Sequence, residues 1–126
     1  MEARDHAYTP YSHFHVGAAL LTKEGKVYQG CNIENAAYSP SVCAERTAFF
    51  KAVYEGERNF KAIAIMGGPE TVKGPDCDIC APCGICRQVM MEFCDPGTFE
   101  ILLGTPEKYE IYTLKEILPL GFGSAN

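Results

Sequence analysis

Two short cysteine clusters contain the residues of this chain that are best suited to chemistry. Cys43 precedes Glu45 by two positions. Cys83 and Cys86 follow Pro82 in a Pro-Cys-x-x-Cys pattern. Three thiolates would occupy three corners of a zinc tetrahedron and leave the fourth corner open, which is what a catalytic zinc ion requires. The carboxylate of Glu45 is placed to move protons at that corner, so the pattern predicts a catalytic zinc centre.

Arg46 follows Glu45 directly and offers a way to balance the charge of such a centre. Three thiolates around one divalent cation leave an excess negative charge, which makes the metal a weaker Lewis acid. A guanidinium group that is hydrogen-bonded to the ligand sulfurs would withdraw part of that charge. The alternative for Arg46 is an ordinary arginine on the surface of a helix.

A purely structural metal site is the alternative for the cysteines. Four of them form a run in which two residues separate each cysteine from the next: Cys77, Cys80, Cys83 and Cys86. Alone, this run could hold a four-sulfur zinc ion or an iron–sulfur cluster. It differs from the bacterial ferredoxin run, because only two residues precede the last cysteine and no proline follows it. This alternative would also leave Cys43 and Glu45 without a role.

Asn32 and Glu34 are candidates for binding a polar substrate. They alternate along an extended segment, so their side chains can point the same way. An amide beside a carboxylate suits a pair of vicinal hydroxyl groups, although a loop asparagine and an exposed glutamate are the simpler interpretation.

Two aromatic residues are further candidates for contacting a substrate. Phe14 alone is more often a core residue than a platform for a base. Phe122 lies between two glycines near the end of the chain, where an aromatic ring can supply a stacking surface.

Composition narrows the function classes. The chain has 126 residues and a formal net charge of −5, without a basic cluster, which weakens any case for nucleic acid or an anionic membrane as partner. No apolar run is long enough to span a membrane, and residues 1–5 lack the apolar stretch of a secretion signal. Seven cysteines without such a signal favour metal binding in a reducing compartment. We therefore expect a cytoplasmic protein in which residues 1–126 form a single domain.

The elements that must position these residues follow from apolar periodicity and turn residues. They are the end of a helix at 1–8, strands at 14–21 and 26–31, a helix from 42–43 to about 56, a strand at 62–66, a long loop at 67–82, a helix at 82–94, strands at 99–103 and 110–114, and a short helix near 114–118. The strand at 62–66 is apolar throughout, as expected of a strand covered on both faces. This order predicts an α/β sandwich whose first hairpin forms an antiparallel edge.

Two of the predicted helices begin at the cysteine clusters. Cys43 falls in the first turn of one, and Cys83 and Cys86 share a face in the first turn of the other. The positive end of a helix lowers the pKa of a thiol and favours the thiolate, so two helix ends can converge on one metal ion. The apolar pattern of the second helix directs four side chains inward: Ile85, Val89, Met90 and Phe93.

At this point the sequence resembles short cytidine deaminases of the homotetrameric type. The similarity covers nearly the whole chain and rests on four blocks in order, at residues 14–20, 30–38, 43–48 and 82–88. The two cysteine clusters match the zinc deaminase signature in its all-cysteine form. The resemblance implies a cytidine deaminase-like α/β fold, a three-layer α/β/α sandwich with a mixed five-stranded sheet.

The resemblance also implies a role for each matching position. Cys43, Cys83 and Cys86 would hold one Zn²⁺ ion per subunit, Glu45 would shuttle protons and Arg46 would temper the thiolates. The implied substrate contacts are Asn32 and Glu34 at the ribose hydroxyls, Phe14 at the base, Ala44 through its backbone at the pyrimidine edge, and Tyr38 and Phe122 in the pocket of a neighbouring subunit. The implied assembly is a homotetramer with active sites at subunit interfaces, and the implied partner is a small-molecule nucleoside.

The expected reaction is zinc-dependent hydrolysis of cytidine and 2'-deoxycytidine to uridine and 2'-deoxyuridine with release of ammonia, as in pyrimidine salvage. The alternatives are deamination of another amino-heterocycle, such as blasticidin S, guanine or a base within nucleic acid, and a cysteine-rich metal-binding module that is not an enzyme. Two features depart from the family pattern. The chain starts late in the first helix, and Cys77 and Cys80 are additional, either as free loop thiols or as ligands that bind or compete for metal.

Overall fold

A mixed five-stranded sheet organises the chain in the computed structural model, which describes residues 2–123. The strand order is β2-β1-β3-β4-β5. The strands are β1 (Phe14–Thr22), β2 (Val27–Cys31), β3 (Phe60–Pro69), β4 (Glu100–Gly104) and β5 (Tyr109–Thr113). The helices are α1 (Ala44–Tyr54), α2 (Gly84–Phe93) and α3 (Leu114–Ile117), with short 3-10 helices at Glu2–His6 and Gly74–Asp76. The predicted α/β fold with a mixed sheet is therefore confirmed.

Strand pairing follows from the connections. β1 and β2 form an antiparallel hairpin whose turn contains Gly25 with a φ of +96°, a left-handed conformation that glycine adopts without strain. β3 pairs antiparallel with β1 and parallel with β4, and α2 lies in the crossover between β3 and β4. A parallel pair needs a crossover of this kind. The segment between β3 and α2 consequently leaves the sheet at the carboxyl end of β3.

Close packing of α1 on β2 fixes the position of the first cysteine cluster. A Cβ atom added at Gly30 would lie 2.4 Å from the carbonyl oxygen of Ala44 and 2.5 Å from the nitrogen of Ala48. Only glycine permits this approach of strand backbone to helix backbone. The first turn of α1 is therefore held directly against the sheet, and Cys43, which precedes it, is held with it.

The core lies on the face of the sheet that carries α1 and α2. Leu20, Ile63 and Ile101 are paired across β1, β3 and β4, and each is at most 1% exposed. Phe49 of α1 packs against this layer, and its ring centroid is 5.2 Å from that of Phe60. Met90 of α2 is fully buried in the same cluster. Burial of these side chains provides the main force that holds the helices on the sheet.

The 3-10 helix Glu2–His6 lies on the opposite face. A Cβ atom at Gly17 would lie 2.5 Å from the backbone nitrogen of Arg4, so this helix touches β1. The guanidinium of Arg4 is buried and donates hydrogen bonds to the carbonyl oxygens of His15, Gly68 and Pro69. Backbone acceptors thus replace water around this charge, as a buried charge requires.

Three local predictions differ from the structure. The helix end predicted at 1–8 is a 3-10 helix. β3 is longer than predicted, and Ala64 in its middle is exposed, because the 3-10 helix leaves that part of the outer face uncovered. The prediction that Ile85 points inward is wrong, because its side chain is 62% exposed. Within residues 2–123, no helix combines the length and apolar character needed to cross a membrane.

Candidate active site

Three thiols form a compact triangle where the two main helices begin. The Sγ atoms of Cys43, Cys83 and Cys86 all lie within 4.8 Å of one another. The Cys43–Cys83 separation is 3.6 Å and the Cys83–Cys86 separation is 3.3 Å. With zinc–sulfur bonds of about 2.3 Å, sulfurs at tetrahedral corners are about 3.8 Å apart. The donor set and its spacing therefore fit zinc without a large rearrangement.

Helix geometry places the three sulfurs. Cys43 is the N-cap residue of α1 and Cys83 is the N-cap residue of α2, so both stand immediately before the first helical turn. Cys86 lies in that turn, and its backbone N–H donates to Cys83 Sγ at 3.4 Å. Unpaired N–H groups and the helix dipole favour negative charge at these positions. This arrangement agrees with the prediction from the sequence that the starts of two helices converge on one set of thiols.

The cluster favours a thiolate at Cys43. Hydrogen bonding from the Cys86 thiol, followed by that from Arg46, lowers the pKa of Cys43 to about 5. The hydrogen bond between the two thiols, together with burial, raises the pKa of the Cys86 thiol. One thiolate is thus stabilised while its neighbour keeps the proton. Metal binding would release that proton, because cysteine ligates as the thiolate.

Glu45 is buried beside the thiols, with only 4% of its surface exposed. Burial raises the pKa of its carboxyl group, and the charge of Cys43 raises it further. A carboxyl group whose pKa is raised toward neutrality is suited to both accept and donate a proton. The structure therefore places an acid–base group next to the three sulfurs.

Arg46 faces the sulfurs rather than solvent. Its Nη2 lies 3.4 Å from Cys43 Sγ, and this contact raises the pKa of the guanidinium. Its Nε is buried and has no hydrogen-bond partner among residues 2–123. The interpretation of Arg46 as an ordinary surface arginine does not agree with this position.

A pocket of about 640 Å³ opens at the thiols. Its wall includes Cys43, Cys83, Glu45 and Arg46. It also includes Asn32, Glu34 and Ala44, which were predicted to contact substrate, and Tyr38, which was predicted to reach the pocket of a neighbouring subunit. Phe14 and Phe122, the other two predicted contacts, do not line it. Three of the four substrate contacts predicted within one subunit thus share a cavity with Cys43, Cys83 and Glu45, and Tyr38 lines the pocket of its own chain.

Asn32 and Glu34 are held in the pocket wall by hydrogen bonds. The Asn32 amide donates to the carbonyl oxygen of Phe14 at 2.8 Å and accepts from the N–H of Val16 at 2.9 Å. The Glu34 carboxylate accepts from the N–H groups of Tyr11 and Ser12 and from the Ser12 hydroxyl. These bonds, those from Ser12 above all, lower the pKa of Glu34 and keep it ionised.

Tyr38 and Phe122 present aromatic rings to solvent. Tyr38 is 71% exposed and has a φ of +61°, and its ring packs edge-on against Tyr11 at 6.0 Å. Phe122 is 78% exposed, while its carbonyl oxygen accepts a hydrogen bond from Gln88 of α2 at 2.8 Å. The backbone of the tail is thus attached to α2 while the ring remains free to contact another molecule.

The sequence did not identify two residues that help to build the pocket. Ser12 orients Glu34 through two hydrogen bonds, from its hydroxyl and from its N–H, while the N–H of Tyr11 donates a third. Cys80 lines the pocket, although its sulfur does not belong to the metal-ligating group found among residues 2–123. The position of Ser12 in a Pro-Tyr-Ser turn before an extended segment was the available sequence signal for its role. Cys80 lies in an irregular loop, and its sequence context did not indicate that it lines the pocket.

A mixed sheet that carries three convergent thiols and a buried glutamate defines a class of zinc-dependent hydrolytic deaminases. Comparison with known sequences agrees with this class. The model of the cytidine and deoxycytidylate deaminase zinc-binding region matches residues 1–99. The cytidine deaminase of Sporosarcina psychrophila is 50% identical over 121 residues, which cover 96% of this chain and 84% of that protein. The cytidine deaminase of Halalkalibacterium halodurans is 48% identical over 97% of this chain and 87% of its own length.

Solved structures give the same result. A crystal structure of cytidine deaminase from Burkholderia pseudomallei superposes with a TM-score of 0.83 at 47% identity, covering 96% of this chain and 91% of that one. Cytidine deaminase from Mycobacterium tuberculosis superposes with a TM-score of 0.78 at 34% identity, covering 97% and 89%. The chain therefore belongs to the cytidine and deoxycytidylate deaminase family.

Proposed function

We propose that this protein is a zinc-dependent cytidine deaminase, which hydrolyses cytidine and 2'-deoxycytidine to uridine and 2'-deoxyuridine and releases ammonia in pyrimidine salvage. The observation that carries the proposal is the shared pocket. Its wall includes two of the three zinc-compatible thiols, the buried carboxyl group of Glu45, an asparagine and an ionised glutamate. A nucleoside offers a matching pair of groups, a base that can react and a ribose with vicinal hydroxyls.

The metal would be one Zn²⁺ ion per subunit, held by Cys43, Cys83 and Cys86. When bound, zinc would supply a Lewis acid that activates a water molecule at neutral pH. Arg46, at 3.4 Å from Cys43 Sγ, would draw negative charge from the thiolates. This matters because three thiolates would otherwise reduce the acidity that the metal confers on water.

Glu45 performs the proton transfers. Its carboxylate accepts a proton from water while the oxygen bonds to C4 of cytosine, and it delivers that proton to N3. It then accepts the second proton of the same oxygen and passes it to the amino group as the C4–N bond breaks. The products are ammonia and the 4-carbonyl of uracil. Burial of Glu45 keeps its proton from exchanging freely with bulk water between these steps.

The remaining site residues orient the nucleoside. Asn32 and Glu34 bind the ribose hydroxyls, and the charge on Glu34 makes its hydrogen bonds stronger than those of a neutral group. Ala44 offers backbone groups to the pyrimidine edge from the first residue of α1. Phe14 packs against the base after a side-chain adjustment of the kind that substrate binding commonly brings.

The exposed aromatic residues support a further proposal about assembly. Phe122, and Tyr38 from the wall of its own chain's pocket, reach the pocket of a neighbouring subunit in a homotetramer, so each active site is completed at a subunit interface. Two exposed rings on segments whose backbones are hydrogen-bonded to the fold are suited to this purpose. We also infer that residues 1–126 act as one domain, since one core cluster joins the sheet to its helices.

The seven free thiols support a cytoplasmic location, because a reducing compartment keeps thiol ligands available.

Deamination of blasticidin S is the second candidate. The blasticidin-S deaminase of Bacillus cereus is 31% identical over 109 residues, which cover 86% of this chain and 76% of that protein. Purified zinc-loaded protein should be given cytidine, deoxycytidine and blasticidin S separately, with ammonia release and the loss of substrate absorbance followed in each. We expect turnover of the two nucleosides. Turnover of blasticidin S alone would favour the second candidate, and no turnover of any of the three would refute both.

A further inference from the structure

Cys80 forms part of the wall of the substrate pocket although it is not one of the grouped metal-ligating cysteines. It lines the same cavity as Cys43, Cys83 and Glu45. Its side chain is half-buried, and its sulfur lies outside the triangle of thiols described above. The thiol is therefore free to contact whatever occupies the cavity.

The strand side of Cys80 is closed. A Cβ atom added at Gly67 of β3 would lie 2.9 Å from Cys80 Sγ and 3.1 Å from Val16 Cγ2. The sulfur thus occupies the space that a glycine leaves, with a valine beside it. Because backbone stands directly behind it, volume added at position 80 cannot extend toward β3 and is directed to the pocket side, where Cys80 already forms part of the wall. Volume removed at this position leaves space beside the pocket.

Cys80 also lies toward the reacting end of the cavity. Burial is the largest cause of the raised pKa of its thiol, and the charges of Glu45, Cys77 and Cys43 raise the pKa further. Glu34 is not among the charges that raise it. The thiol consequently remains protonated and offers a compact, weakly polar surface. Cys80 also shares the cavity wall with Cys83, three positions further along the chain, which agrees with a place near the thiols and Glu45.

The chemistry of cytosine then identifies the neighbouring atom. The reacting carbon, C4, is bonded in the ring to N3 and C5. Glu45 serves N3 in the proposed mechanism, so another wall at the reacting end faces the C5 side. We propose that Cys80 sets the space beside C5 of the pyrimidine and thereby determines which 5-substituted cytidines the enzyme accepts. This inference rests on the proposed function.

Cys77 provides a matched control from the same loop. It is 8% exposed, and its sulfur would meet a Cβ atom at Gly68 at 2.8 Å, but it does not line the pocket. Cys77 and Cys80 therefore rest on consecutive glycines of β3, and only the second of them faces the cavity. Replacement of Cys77 changes the same loop without changing the pocket wall.

The test compares kcat/KM for 5-methylcytidine and 5-iodocytidine with that for cytidine in Cys80→Ala, Cys80→Val and Cys77→Ala. A difference of one methyl-sized group in an apolar pocket commonly changes selectivity by about tenfold or more. We expect the ratio for the 5-substituted substrates to rise about tenfold in Cys80→Ala and to fall about tenfold in Cys80→Val. The ratio should stay at the wild-type value in Cys77→Ala. Zinc content verifies that each variant is folded, and either Cys80 variant alone suffices for the test.

Ratios that remain at the wild-type value in the Cys80 variants would overturn this inference and leave the deaminase assignment intact. An equal change in Cys77→Ala would also overturn it, because the effect would then come from the loop as a whole. Failure of zinc-loaded wild-type protein to deaminate cytidine would instead refute the proposed function, and this inference with it.

Discussion

The grouped cysteines and the two loop cysteines show how position assigns different roles to one residue type. Cys43 and Cys83 stand at helix N-termini, and Arg46 contacts the sulfur of Cys43 and favours its thiolate. Cys77 and Cys80 lie on glycines of β3, in the loop that precedes α2. Burial raises the pKa of Cys80, whereas the pKa of Cys43 falls to about 5. Convergence of the sulfurs where α1 and α2 begin, rather than Cys-x-x-Cys spacing, distinguishes the three grouped thiols from the two loop thiols.

The largest effect should come from removing a grouped cysteine. Cys83→Ala leaves two thiols, so we expect loss of nearly all zinc and of measurable cytidine deamination, because three protein ligands are the usual minimum for catalytic zinc. Cys77→Ala, from the other group, should keep its zinc. Elemental analysis of both purified variants measures this. Equal zinc loss in the two variants would remove the distinction between the groups.

Glu45→Gln separates metal binding from catalysis. The amide keeps the size of the side chain but cannot accept the proton, so kcat should fall by about 10² to 10⁴ while zinc content stays unchanged. Steady-state kinetics and metal analysis on the same preparation test this. Glu45 lies within the first turn of α1, and circular dichroism verifies that the helix is retained. A variant that keeps wild-type kcat would disprove the assigned role.

Glu34→Gln tests the part of the pocket that we propose binds the ribose. Loss of a charged hydrogen bond to a substrate hydroxyl costs about 1.5–3 kcal/mol, which corresponds to a rise in KM of roughly 10- to 150-fold. Glu70→Gln is a matched control, since Glu70 is exposed, lies outside the pocket and pairs with His13. Kinetics with cytidine should separate the two variants. Similar KM values for both would argue against ribose binding by Glu34.

Phe122→Ala should have the smallest effect. Loss of one stacked ring is worth about 0.5–1.5 kcal/mol, so KM for cytidine should rise by about two- to tenfold with stability unchanged. Tyr54→Ala is the control, because Tyr54 is also an exposed aromatic residue, at 87%, but lies at the end of α1. Kinetics and thermal unfolding of both variants provide the comparison. A KM that moves equally in the two would contradict the contact between subunits.

Much of the fold was predictable from local patterns. Strand alternation in β1 and the alanine stripe of α1 each reflect burial on one face, and both occur where expected. The prediction for Ile85 failed because periodicity assigns every apolar side chain on a stripe to the core. In the first turn of α2 that stripe reaches the pocket, where Ile85 is exposed and Cys86 occupies the buried position instead.

The candidate site was predictable where chemistry restricts residue type. A pair of cysteines at i,i+3, together with a third cysteine that has a glutamate two positions later, has few purposes other than a metal site. The predicted ligands accordingly lie together in space. The position of Cys80 was not predictable. It depends on how an irregular loop lies across Gly67, and no local pattern encodes that tertiary contact.

Zinc removal and return provides the most direct test that the three-thiol site and its pocket form one catalytic centre. Purified protein is assayed for cytidine deamination as isolated, after chelation, and after zinc is restored, with bound zinc measured each time. We expect one zinc per chain and activity that disappears and returns in proportion to it. Full activity in the zinc-free protein, or no deamination with zinc bound, would contradict it.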